Sequence, residues 1–232
     1  MAHWADCAPP RKTMLNHTED LFESTVPDTR RELLAPGAWL LRGFALDGDE
    51  ALVAAVERVA SVAPFRHLET PSGFPMSVAM TNCGILGWVS DRRGYRYEES
   101  DPKSGNPWPP MPSVFMELAE EAARAGGFSR FMPDACLINR YEPGARLTLH
   151  QDKDERDFGA PIVSVSLGLP AVFLFGGETR SDRQRRVPLQ HGDVVVWGGA
   201  ARLRHHGVLP VKPGCHPVLG SQRLNLTFRR AR

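Results

Sequence analysis

The chain has 232 residues, 42% of them apolar and 24% charged, with 28 Lys and Arg against 27 Asp and Glu. This composition excludes a collagenous, coiled-coil or wholly disordered chain and suits one large domain or two small ones. The net charge of +1 hides a segregation, because residues 194–232 carry seven basic groups and no acid, which points to an anionic partner for that part.

Residues 1–35 are polar, contain Pro and show no period, so they read as a mobile N-terminal arm, with Met14 as an alternative start. Asp47-Gly48-Asp49 then offers N-cap chemistry ahead of Leu52, Val53, Val56, Val59 and Ala60, whose spacing predicts an amphipathic helix. Residues 64–112 hold Trp88, Tyr95, Tyr97 and Trp108 among many Gly and Pro, and read as loops or a hairpin flap rather than core. Val114, Leu118, Ala119 and Ala122 make one face of a second helix over 113–125, which Gly126-Gly127 stops.

From residue 132 the apolar period shortens from 3.6 to two. Strands are predicted at 136–141, 147–150, 162–169, 171–175, 193–197, 203–208 and 223–228, divided by turn signals such as Glu142-Pro143-Gly144 and Lys212-Pro213-Gly214. Many short strands with helices only near the N-terminus predict a mainly β chain, a double-stranded β-helix or jelly roll flanked by N-terminal helices. The expected division is an arm over 1–35, helices and a lid over 36–131, and the β core over 132–232. Cys7, Cys83, Cys136 and Cys215 form no CxxC pair, no signal-like or bilayer-spanning apolar run is present, and a cytoplasmic protein is expected.

Within the β region, Leu149-His150-Gln151-Asp152 places an imidazole and a carboxylate at i and i+2 of an extended chain, on one face and able to share one ion. Of the adjacent His205 and His206, which point to opposite faces of a strand, one can complete the set. Two His and one carboxylate leave open positions of the kind used in non-haem Fe(II) and O₂ chemistry. His191 and His216 sit beside turn residues and read as surface or capping groups. In the last predicted strand, alternation puts Leu224, Leu226 and Phe228 on one face and Arg223, Asn225, Thr227 and Arg229 on the other, so two Arg forks can grip a short dicarboxylate from both ends. Asn139 and Tyr141, also two apart, add hydrogen-bonding groups for the same cavity.

The segments 133–141 (Pro-Asp-Ala-Cys-Leu-Ile-Asn-Arg-Tyr), 149–155 (Leu-His-Gln-Asp-Lys-Asp-Glu) and 223–229 (Arg-Leu-Asn-Leu-Thr-Phe-Arg) resemble the AlkB family of Fe(II)- and 2-oxoglutarate-dependent nucleic-acid dealkylases. Further agreement lies in 76–84, Gly87-Trp88 and 191–199, so that the resemblance spans roughly residues 37–230. It implies iron held by His150, Asp152 and His206, which selects His206 over His205. It implies 2-oxoglutarate bound by Asn139, Tyr141, Arg223, Asn225 and Arg229, with O₂ as the other cosubstrate. The flap over 64–112 becomes a nucleotide-recognition lid, where Trp88 stacks on the damaged base opposite His150 and Tyr95 meets the backbone. Asp154 falls near the exocyclic amine of the base, and Arg180 is a further substrate contact.

The implied reaction is oxidative demethylation of 1-methyladenine and 3-methylcytosine in single- or double-stranded DNA, with RNA as an alternative polymer, by a monomer that releases formaldehyde, succinate and CO₂. A hydroxylase of a protein or small molecule would share the metal and clamp residues, and the flap distinguishes the two. Assigning Arg223 and Arg229 to the dicarboxylate leaves five cations of the basic tail, with Arg180 to Arg186, for phosphates. Weak and salt-sensitive binding follows.

Overall fold

The computed structural model describes residues 31–232. Trp4, Cys7, Met14 and most of the expected arm lie outside the described residues. In chain order the elements are β1 (Arg31–Ala35), β2 (Ala38–Leu41), α1 (Asp49–Val62), β3 (Arg66–Glu69), β4 (Pro75–Gly84), β5 (Gly87–Asp91), β6 (Gly94–Glu98) and α2 (Ser113–Ala125). There follow β7 (Ala135–Tyr141), β8 (Leu147–His150), β9 (Ile162–Gly168), β10 (Ala171–Phe175), β11 (Arg185–Leu189), β12 (Val194–Trp197), β13 (His206–Val208) and β14 (Arg223–Arg229).

Eight strands make one antiparallel sheet in the order β1-β2-β12-β9-β14-β7-β4-β3, and four make a second in the order β11-β10-β13-β8. The alternation of apolar residues decides what lies on each side of the larger sheet. Cys136 and Ile138 of β7, Val163, Val165 and Leu167 of β9, Val194 and Val196 of β12, and Leu224, Leu226 and Phe228 of β14 face one way. They pack there on Leu52, Val56 and Val59 of α1 and on Phe115, Ala119 and Ala122 of α2. The opposite face packs on the smaller sheet, through Leu40, Val78, Met80, Ile162, Val195 and Trp197 against Phe173, Phe175, Val187 and Val208. This is the expected jelly roll with helices on one face.

Several expectations change at the level of elements. Residues 31–35, assigned to the arm, form an edge strand of the large sheet, and β1 to β4 supply half of that sheet, so a boundary at 131/132 does not separate lid from core. Within 64–112 only β5 and β6 form a separate hairpin. β4, instead of belonging to the flap, is buried from Val78 to Cys83 between β3 and β7. Arg185 and Arg186, from the cluster left for phosphates, open an additional strand, β11, and β13 begins at His206 rather than at 203. Helix α1 starts without a side-chain cap, because its N-cap residue is Gly48, and the Asp49 carboxylate of its first turn instead meets His191 Nε2 at 2.8 Å. The same His191 accepts the Gly168 N–H through Nδ1, a capping role of the expected kind.

Candidate active site

The mouth of the jelly roll opens between the two sheets into a cavity of about 630 Å³. Every residue singled out for iron, 2-oxoglutarate or base contact, from Trp88 and Tyr95 through Asn139, His150 and Arg180 to Arg229, lines it. Neighbouring strands in register explain the convergence. His206 on β13 pairs with His150 on β8, while on the large sheet Asn225 pairs with Asn139 and Arg223 with Tyr141.

Ligand atoms of His150, Asp152 and His206 lie within 4.8 Å of one another. Each imidazole is oriented by its own strand. His150 Nδ1 donates to the Thr148 carbonyl at 2.8 Å and His206 Nδ1 to the Arg204 carbonyl at 3.0 Å, which fixes the proton on Nδ1 and leaves Nε2 as a free donor atom. Both Nε2 atoms stand 3.7 Å from an Asp152 oxygen. Burial, reinforced by His150, lowers the His206 pKa to about 4, so the ring is neutral and able to bind a metal at neutral pH. Burial opposes ionisation of Asp152, but Arg229, His206 and His150 together hold its carboxyl below the ordinary carboxylate range. His205, which precedes β13, lines the same cavity but is not one of the three residues whose ligand atoms converge.

The second half of the site is cationic. Arg223 is 1% exposed, its Nη2 donates to Ser166 Oγ at 3.0 Å, and among the described residues no carboxylate pairs with it. Arg223 Nε, the Tyr141 hydroxyl and Asn139 Oδ1 are buried without a hydrogen-bond partner. Burial pushes the Tyr141 hydroxyl up to about 12, so it stays a donor. A guanidinium with no paired carboxylate and a phenol with no partner, at one end of a cavity, fit a carboxylate of a small ligand. At the other end Arg229 donates to Asp152 Oδ2 from both Nε and Nη2, at 3.0 and 2.7 Å. The donor set therefore fits an Fe(II) ion and 2-oxoglutarate together.

The β5–β6 hairpin covers the mouth. Trp88 and Tyr95 stack with ring centroids 5.5 Å apart, and the Trp88 indole N–H donates to Asp154 Oδ2 at 2.9 Å. The flap is anchored from below, since the buried Asn82 side chain accepts from Trp88 N–H and donates to Trp88 C=O, both at 3.0 Å. Asn82, Tyr97, Glu155 and Arg202 escaped the reading of the sequence. Asn82 reaches across a strand turn to Trp88, and the hydrogen-bonding partners of the other three side chains lie 42 or more residues away along the chain, so no local pattern marks them.

The family model for the 2OG-Fe(II) oxygenase superfamily matches residues 37–229. The alpha-ketoglutarate-dependent dioxygenase AlkB of Salmonella typhimurium strain LT2 is 57% identical over 212 residues, covering 91% of this chain and 97% of the relative. The protein of the same name from Escherichia coli strain K12 agrees to the same extent, and the AlkB homolog of Caulobacter vibrioides is 47% identical over 81% of this chain and 84% of its own length. Among solved structures, that of OsALKBH1 superposes with a TM-score of 0.77 at 31% identity, over 87% of this chain and all of that one. With a jelly roll, a His-Asp-His set and this breadth of agreement, the chain belongs to the AlkB family of Fe(II)- and 2-oxoglutarate-dependent dioxygenases.

Proposed function

We propose that this enzyme repairs DNA by oxidative demethylation of 1-methyladenine and 3-methylcytosine, with RNA as a second polymer. The observation that carries this reading is the aromatic flap: Trp88 stacks on Tyr95 and is tied to the Asp154 carboxylate at the mouth of the metal cavity. A methylated adenine or cytosine is a flat cation, so an indole face with a carboxylate at its edge selects it over the neutral parent base. Its methyl group lies on the pairing edge, and the base must be unpaired or flipped to enter.

His150, Asp152 and His206 would hold the iron, and Arg223, Arg229, Asn139, Tyr141 and Asn225 the 2-oxoglutarate. When bound, the pair activates O₂ for hydroxylation of the N-methyl carbon, with formaldehyde, succinate and CO₂ as products. The chain's own share is positional. Arg223 neutralises one carboxylate, Trp88 and Asp154 hold the base edge toward His150, and Arg180 at the cavity rim reaches the polymer. The hydrophobic walls, Leu137, Met80 and Trp197, keep water from the reacting carbon. We further propose a monomer acting in the cytoplasm, a compartment in which Cys83 and Cys136, opposed on β4 and β7, would stay reduced.

The test is mass spectrometry of a 3-methylcytosine oligonucleotide after O₂ is admitted to the Fe(II)- and 2-oxoglutarate-loaded enzyme. Loss of one methylene is expected. Trp88→Ala should abolish that loss while 2-oxoglutarate turnover without nucleic acid continues; full demethylation by this variant overturns the flap assignment. An Asp152→Ala enzyme that still released formaldehyde would remove the metal assignment.

A further inference from the structure

Glu155 is a buried acidic side chain beside the metal set that neither that set nor the base slot uses. It is 5% exposed, yet it touches three groups from separate parts of the chain. Its Oε1 accepts the Tyr97 hydroxyl of β6 at 2.7 Å and pairs with Arg229 Nε of β14 at 3.2 Å. Its Oε2 accepts from Arg202 Nη2 at 3.0 Å. Both arginines then continue to the same residue. Arg229 holds the Asp152 carboxylate, and Arg202 Nη1 donates to the Asp152 main-chain carbonyl at 2.7 Å. A buried carboxylate thus fastens the flap to the two cations that orient one metal ligand.

We propose that Glu155 is a positioning residue that couples the flap to the metal centre, through Tyr97 on one side and through Arg229 and Arg202 on the other. The proposal rests on the function given above, in which Asp152 binds iron and the flap binds the base. Its physical basis is charge balance. Two guanidinium groups face two carboxylates in a dry pocket, and with Glu155 neutral Arg229 would have Asp152 as its remaining close anion. Asp152 Oδ2 would then be held harder by Arg229 and offered less to a metal. In the other direction, a base that orders the flap sets Tyr97, and through it Glu155, in the arrangement that presents Asp152. Two ligands that favour the same arrangement must tighten each other's binding by equal factors.

The test uses Mn(II), which binds oxygen and imidazole donors without turning over, followed by the electron paramagnetic resonance of the free ion. Glu155→Gln, which keeps the shape and removes the charge, should weaken Mn(II) binding about tenfold. Its melting temperature reports folding separately. In the wild type, Mn(II) with 2-oxoglutarate should tighten binding of a 3-methylcytosine oligonucleotide, and in Tyr97→Phe, which cuts only the flap link, that tightening factor should fall toward one. Wild-type Mn(II) affinity in a folded Glu155→Gln protein overturns the proposal. So does an undiminished factor in Tyr97→Phe, which decides the matter if Glu155→Gln does not fold. If the wild type binds neither Mn(II) nor the methylated oligonucleotide, the proposed function falls first; if it binds both and the variants match it, only the role of Glu155 falls.

Discussion

A cation with 1% exposure and no carboxylate against it, as Arg223 is among the described residues, costs the ligand-free fold stability in return for affinity. Replacing it with an apolar residue of similar length separates the two effects. Arg223→Met is expected to raise the stability of the metal- and 2-oxoglutarate-free protein by about 1–3 kcal/mol while abolishing 2-oxoglutarate binding. Thermal melting beside an anaerobic binding titration checks this, and a lowered melting temperature would mean that Arg223 is a structural cation. That Arg223 and Arg229 share one cavity was visible in the sequence because alternation along one strand is a local rule. That Arg202 and Glu155 lie between flap and metal set was not visible, because both belong to irregular segments and their partners are brought in by the fold.

Among the elements, the flap depends on what supports it. Gly87 opens β5 directly above Trp108, and a Cβ there would come within 2.4 Å of the indole. Gly87→Ala should therefore displace Trp88, lowering stability by about 1–3 kcal/mol and reducing oligonucleotide demethylation more than 2-oxoglutarate turnover. A second support is Asp101, which accepts from both Arg66 Nη atoms, from Lys103 N–H and from Ser104 Oγ. Burial works against its ionisation, but these donors, led by Arg66, bring its pKa down to about 2. Since the folded value lies below the unfolded one, this stabilisation is complete above pH 4 and disappears as the pH falls toward 2. Asp101→Asn should cost on the order of 2 kcal/mol at neutral pH, a difference that closes in acid-denaturation curves at the low end of that range. Strand β4 shows why this region was misread. Its Thr81 and Asn82 look like loop residues, yet Thr81 Oγ1 donates to the Ala63 carbonyl and Asn82 grips Trp88, so partners outside the strand satisfy polar groups that a strand pattern would reject.

On the scale of the whole molecule, the acid-free tail contributes less to nucleic-acid binding than its charge implies. Arg202, Arg223 and Arg229 are all buried, and Arg230 and Arg232 stand near Asp157 and Glu99. Few cations of that stretch remain for phosphates, so the logarithm of oligonucleotide affinity should fall with the logarithm of salt at a slope of about −3 or shallower, measured by fluorescence anisotropy. A slope near −7 would mean that the tail acts as a unit. The jelly roll itself was legible from the strand run after residue 132, but not the contribution of β1 to β4, which are short or lack clear alternation. Finally, β14 lies between β7 and β9 in the large sheet although it follows both of them in the chain. During synthesis His150, Asp152 and His206 therefore leave the ribosome before Arg223 and Arg229, and the sheet has a gap at its middle until β14 inserts. A chain lacking β14 would carry His150, Asp152 and His206 without Arg223, Asn225 and Arg229, so insertion of this one strand completes both the large sheet and the proposed 2-oxoglutarate pocket.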